Sequence, residues 1–137
     1  MKVAFTSQDL KGVNAHFGSA KCLAIYEVSP DASQLLEVVQ FSNISNEDGD
    51  HETEGEDRLA AKIEALKGCA LLFTLAIGGP AAARVVNNKV HPIKIAAPEP
   101  IPSVIERIQT MLKGAPPPWM RKILQDESRK LDFLDEE

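Results

Sequence analysis

Apolar residues along this chain fall into two rhythms. Short continuous or alternating runs, bounded by turn residues, are interleaved with stretches whose apolar positions recur every three or four residues. These are the signatures of strands and of amphipathic helices. Lys2 to Thr6 predicts a first strand that opens into a polar loop, Ser7 to Ser19. Lys21 to Val28 (KCLAIYEV) and Gln34 to Phe41 (QLLEVVQF) predict two more strands, joined through Ser29-Pro30-Asp31 as an antiparallel hairpin. Arg58 to Leu66 (RLAAKIEAL) predicts a helix ended by Gly68, with Glu54, Glu56 and Asp57 near the positive end of its dipole. Ala70 to Leu75 (ALLFTL) is apolar without alternation, as suits a strand covered on both faces of a parallel sheet. Gly78-Gly79-Pro80 opens a second helix, Ala81 to Asn88, with proline in its first turn. His91 to Ala96 predicts a last strand, held to an edge by Pro92, which has no N–H for a ladder. Pro102 to Lys113 predicts a third helix closed by Gly114.

The order is therefore β-β-β-α-β-α-β-α-α. It predicts an α/β fold with a mixed five-stranded sheet and flanking helices, parallel in one half and carrying the hairpin on the other edge. One domain is expected over residues 1–115. Residues 116–137 follow as a proline-rich spacer, a helix from Trp119 to about Lys130, and an acidic tail. Trp119, Met120, Ile123 and Leu124 make an apolar stripe at helical spacing, which needs a surface to cover it. The domain itself and a partner are both open as that surface.

Composition narrows the class. A chain of 137 residues with 44% apolar residues suffices for a single core. No apolar run approaches the ~20 residues that span a bilayer, and the start carries no leader pattern, so a cytoplasmic protein is expected. Two cysteines, Cys22 and Cys69, both lie in apolar stretches, which predicts buried thiols and neither a disulfide framework nor a C-x-x-C site. The net charge of −5 is unevenly spread. Seven acidic residues and no lysine or arginine lie between Glu47 and Asp57, and the last twelve residues carry −4, which leaves +6 on the rest. The acidic stretch has no apolar periodicity and is expected to be a solvated, mobile loop. The body is too weakly basic to argue for nucleic acid, yet it accepts a small anion without electrostatic penalty.

In open α/β sheets ligands bind beyond the carboxyl ends of the parallel strands. Three segments fall there: Ser7 to Ser19, Ala76 to Pro80, and Ala97 to Ile101. The first contains Asn14, His16, Phe17, Gly18 and, at its start, Ser7. An imidazole with a glycine two residues on can reach a ligand without backbone crowding, and neutral imidazole ligates iron well. Taken alone, a loop histidine is more often a polar surface residue. Gly78 and Gly79 offer backbone N–H groups at a helix N-terminus, an anion site without the spacing of a P-loop. Arg84, about one turn on, faces either the ligand or solvent. No carboxylate pair, nucleophile elbow or cysteine with a base is recognisable, which weighs against a nuclease or phosphotransferase and towards binding. A protein-interaction module that docks a basic partner through its acidic segments is the rival class.

The motifs K-V-A-F-T-S, N-A-H-F-G-S-A, A-I-Y-E-V, I-G-G-P-A-A-A-R-V-V and V-H-P-I-K together resemble the dinitrogenase iron–molybdenum cofactor family, over roughly Met1 to Lys113. The P-P-P-W-M-R-K-I-L segment resembles the tail that follows this domain in some members. The resemblance implies a ribonuclease-H-like fold. It also implies a non-enzymatic carrier of the iron–molybdenum cofactor, or of its iron–sulfur precursor, during nitrogenase cofactor assembly. Partners would be cofactor assembly proteins and apo-nitrogenase. The family histidine before Phe-Gly maps onto His16, which the resemblance makes the metal ligand. Ser7, Asn14, Phe17, Gly18, Gly78, Gly79 and Arg84 are its expected surroundings. Some relatives carry cysteines after the buried strand; Thr74, Leu75 and Ile77 stand there in this chain.

Overall fold

A computed structural model of the chain describes residues 1–41 and 59–125. The expected acidic loop and acidic tail lie outside the described residues. The five expected strands are present as β1 (Lys2–Ser7), β3 (Cys22–Val28), β4 (Ser33–Gln40), β5 (Leu71–Thr74) and β6 (His91–Lys94). They form one sheet in the order β4-β3-β1-β5-β6. β1 pairs in parallel with β5, and β5 in parallel with β6, whereas β3 runs antiparallel to both β1 and β4. The mixed sheet with a hairpin on one edge is thus the observed architecture, and Pro92 sits on the opposite edge strand.

Side-chain alternation decides what each face covers. Val3, Phe5, Leu71 and Phe73 point to one face, where they meet Ile101, Val104, Ile105 and Ile108 of α3 (Ile101–Lys113). Ala4, Leu72, Leu23 and Ile25 point to the other. There they meet Ile63 and Leu66 of the segment that begins with α1 (described over 59–65), and Val85 of α2 (Gly79–Asn87). Both faces of β1 and β5 are therefore buried, which is why β5 reads as an unbroken apolar run. β4, by contrast, is exposed over most of its length. No helix among the described residues is long and apolar enough to cross a membrane.

The last helix, α4, is described over 118–125. The sequence left its covering surface open, and the structure places it on the domain. Met120 is fully buried in the core with α3, while Trp119, Ile123 and Leu124 pack against the same cluster. The Trp119 indole stacks on the His91 imidazole at 5.0 Å, nearly parallel. Burial holds the His91 pKa below the ordinary histidine value.

Two short strands were not expected. β2 (Gly12–Val13) lies inside the supposed polar loop and pairs antiparallel with β7 (Glu99–Pro100), just before α3. Two residues are too few to show a period, so only the pairing partner reveals them. A Cβ on Gly12 would meet the Glu99 carbonyl oxygen at 3.0 Å, so this glycine is required by the close approach of the two backbones.

Candidate functional site

The first loop has two parts of different construction. Residues 7–14 are tied together by their own side chains. The buried Ser7 hydroxyl donates to the Gly12 carbonyl at 2.6 Å and accepts the Leu10 N–H at 2.9 Å. Asp9 accepts from the backbone N–H groups of Lys11 and Gly12 and from the Asn14 amide at 3.0 Å. These bonds, led by that of Lys11, hold the Asp9 carboxyl below the usual carboxylate pKa. Asn14 in turn accepts the Gln8 N–H at 2.8 Å. The network stabilises Leu10 at φ 64°, a left-handed conformation that side-chain-bearing residues rarely adopt.

Residues 15–19 are held from beneath. The Ala15 carbonyl accepts the hydroxyls of Thr6 at 2.8 Å and Thr74 at 3.1 Å, and the Leu75 N–H at 3.1 Å. The Phe17 N–H donates to the Ala76 carbonyl at 2.8 Å. Ala15 and Phe17 are buried, and the extended backbone of His16 between them (φ −74°, ψ 149°) turns its side chain outward, where it is exposed. A short 3-10 turn, Phe17–Ser19, follows. Beneath it Lys62 of α1, only 2% exposed, donates to the carbonyls of Phe17 at 3.0 Å and Gly18 at 2.8 Å.

The loop after β5 completes an open cleft of about 520 Å³, lined by His16, Gly18, Ser19, Ala76, Ile77 and Gly78. Gly78 caps the N-terminus of α2 in an extended conformation, and its carbonyl accepts the first helical bond, from Ala82. Gly79 and Ala81 therefore present N–H groups without helical acceptors at the positive end of the dipole, while Pro80 has none. None of Gly18, Gly78 and Gly79 has a positive φ, and a Cβ on any of them would meet nothing within 4 Å. The backbone does not require glycine at these three positions. What the missing side chains provide is bare main chain beside His16.

The structure thus brings His16, Gly18 and Gly78 together, with Gly79 adjoining. It does not gather the other expected residues there. Phe17 is fully buried in the core that α1 and α2 share, and reaches the site only through its backbone. Ser7 and Asn14 are occupied within the braced part of the loop. Arg84 stands exposed near the end of α2 and does not line the cleft. The third segment, around Pro98 to Pro100, faces Asp9, Lys11 and Asn14 and forms a separate shallow pocket. Cys22 and Cys69 are buried, and burial raises both thiol pKa values, that of Cys69 to about 11. Among the described residues no three His, Cys, Asp or Glu side chains converge to cage a metal ion.

Sequence reasoning missed Thr6, Thr74 and Lys62 as parts of the site. Each carried a signal. Thr6 and Thr74 interrupt apolar runs at the carboxyl ends of β1 and β5. Lys62 lies three residues after Leu59 and four before Leu66, on the apolar stripe of its helix and not on the solvated side.

Over all of its length the chain is 52% identical to protein NifX of Sinorhizobium fredii and 49% identical to protein NifX of Rhodobacter capsulatus, covering 87% of each. It is 37% identical to protein NifY of Azotobacter vinelandii over 93% of this chain and 49% of that one. Among solved structures, the crystal structure of PH0822 superposes with a TM-score of 0.56 at 21% identity, over 80% of this chain and 89% of that one, a likeness of fold. The profile described as dinitrogenase iron-molybdenum cofactor matches residues 1–111, and the chain belongs to that family.

Proposed function

We propose that this chain takes part in nitrogenase cofactor biosynthesis as a carrier, binding the iron–molybdenum cofactor or its iron–sulfur precursor as cargo in the cleft between His16 and Gly78. The observation that carries the reading is the exposed His16 imidazole beside glycine-lined main chain at a helix N-terminus. A metal cluster that arrives with its own sulfur and iron framework needs one directional bond and a complementary surface, and no full protein cage. His16 supplies the bond, for which neutral imidazole is suited. The N–H groups of Gly79 and Ala81, with the helix dipole, favour the anionic charge of the cargo. The +6 charge outside the two acidic stretches acts in the same direction. Gly18 and Gly78 leave room for a bulky ligand to approach the backbone. Few bonds also suit a protein that must release what it holds to an assembly partner or to apo-nitrogenase, and the role asks for no bond-making by the chain.

The test is anaerobic incubation with isolated iron–molybdenum cofactor followed by gel filtration, for the wild type and His16→Ala. The wild type is expected to co-elute with iron and molybdenum, and the variant to lose most of both at an unchanged circular dichroism spectrum. Equal retention by the two would remove His16 from the site. No retention by either would favour an assembly role through protein contacts alone.

A further inference from the structure

A buried lysine directly beneath a candidate binding turn is unusual, because lysine is almost never fully buried without partners that compensate it. Lys62 is 2% exposed, and its Nζ donates to two successive carbonyls, those of Phe17 and Gly18. Its ammonium also lies 5.3 Å from the centre of the Phe41 ring. Charge-assisted bonds of this kind are shorter and about twice as strong as neutral ones. They fix the orientation of the peptide planes they touch.

That orientation reaches the cleft. A trans peptide holds its C=O and N–H antiparallel. With the Phe17 carbonyl drawn to the buried ammonium, the N–H of Gly18 is directed away from it and so away from the interior. Gly18 lines the cleft and carries no side chain to cover that N–H. The same bonds anchor the residue that follows His16, so the histidine is fixed on one side by Thr6 and Thr74 and on the other by Lys62.

We propose that Lys62 is a positioning residue for the cargo site, which by pinning the Phe17 and Gly18 carbonyls turns the Gly18 N–H outward as an anion donor and fixes the stance of His16. The inference rests on the cargo reading of the cleft. It adds a role for a residue of α1, an element that does not itself line the cleft.

Two measurements test it. The first is a double-mutant cycle on binding of isolated iron–molybdenum cofactor, using Lys62→Met, His16→Ala and the pair. Losing a charged donor to two carbonyls is expected to weaken binding on the order of tenfold, and by less when His16 is already absent, because the share that Lys62 exerts through His16 is then gone and only the share through the Gly18 N–H remains. A penalty of equal size in both backgrounds marks a purely structural lysine and overturns the proposal. Wild-type binding unmatched by any loss in Lys62→Met overturns it too, while leaving the cargo reading intact. Failure of the wild type to bind brings down both. The second measurement needs no variant to fold: amide hydrogen exchange at Gly18 in the wild-type protein. Rapid exchange in the empty protein, slowed by added cofactor, is expected. An amide already protected in the empty protein, or one that the bound cofactor leaves unslowed, overturns the proposal.

Discussion

The two parts of the first loop begin from similar residues and end in opposite states. Residues 7–14 spend their polar side chains on each other: Ser7, Asp9 and Asn14 satisfy backbone groups of the same turn. Residues 15–19 spend none. Their backbone is gripped by Thr6, Thr74 and Lys62 from other elements, and the polar side chains that face out, His16 and Ser19, are left to line the cleft. A side chain that closes its own loop is lost to a ligand. A binding rim is therefore rigid only if something outside it does the holding. The glycines divide in the same way. Gly12 is needed because a Cβ would strike a carbonyl at 3.0 Å, whereas Gly18 and Gly78 face open space.

The severest disruption of the scaffold, as opposed to the rim, is deletion after Ala115. It removes Met120, which is fully buried, and should cost at least the ~2–5 kcal/mol of a core Met→Ala change, out of the ~5–15 kcal/mol typical of a domain. Denaturant titration measures this. Cofactor retention by the fraction that stays folded should persist, since the rim lies elsewhere; loss of retention there would join tail and rim into one unit.

A sharper contrast comes from two glycine-to-alanine changes. Gly12→Ala should destabilise by about 1–3 kcal/mol through overpacking against backbone and leave intrinsic cofactor affinity near wild type. Gly78→Ala should shift stability by no more than about 1 kcal/mol, the difference between these residues as N-caps, and weaken retention. Paired melting and retention measurements decide it, and the reverse pattern would erase the distinction between brace and rim.

The smallest effect concerns pH. The His91 pKa is lowered on folding, so the unfolded chain binds its proton more readily. The associated stability is fully present above the unfolded value near 6.5 and is lost as pH falls below it towards the folded value. Melting temperatures of wild type and His91→Gln should therefore converge slightly between pH 7.5 and 5.5. Parallel curves would show that the burial of His91 does not resist protonation.

The sheet was legible because its signals are local. The unbroken LLFT run announced a strand buried on both sides, and Pro92 announced an edge. The gathering of His16, Gly18 and Gly78 in one cleft was legible because the loops at parallel strand ends lie side by side in such folds. Ser7 and Asn14 looked like equally good site residues, since sequence does not show whom a polar side chain bonds. Lys62 stands on the apolar stripe of its helix, but what it bonds shows only when the turn it supports, more than forty positions earlier, is placed above it. The β2–β7 pairing, the docking of α4 and the burial of Phe17 in the core are likewise products of distant contacts.

The position of β1 has a consequence for synthesis. It lies mid-sheet, with β3 on one side and β5 on the other, and Val3 waits for Leu71. Once residue 41 has emerged from the ribosome, β1, β3 and β4 can zip as a three-stranded meander whose inner flank is bare. At ~5–20 residues per second the missing neighbour arrives roughly two to six seconds later. The seven carboxylates between Glu47 and Asp57 emerge within that interval. They give the nascent meander like charge when its sticky flank most invites pairing with another nascent chain. The same interval separates the half of the cleft that holds His16 from the half that holds Gly78, so a ribosome-bound fragment lacks the assembled cleft.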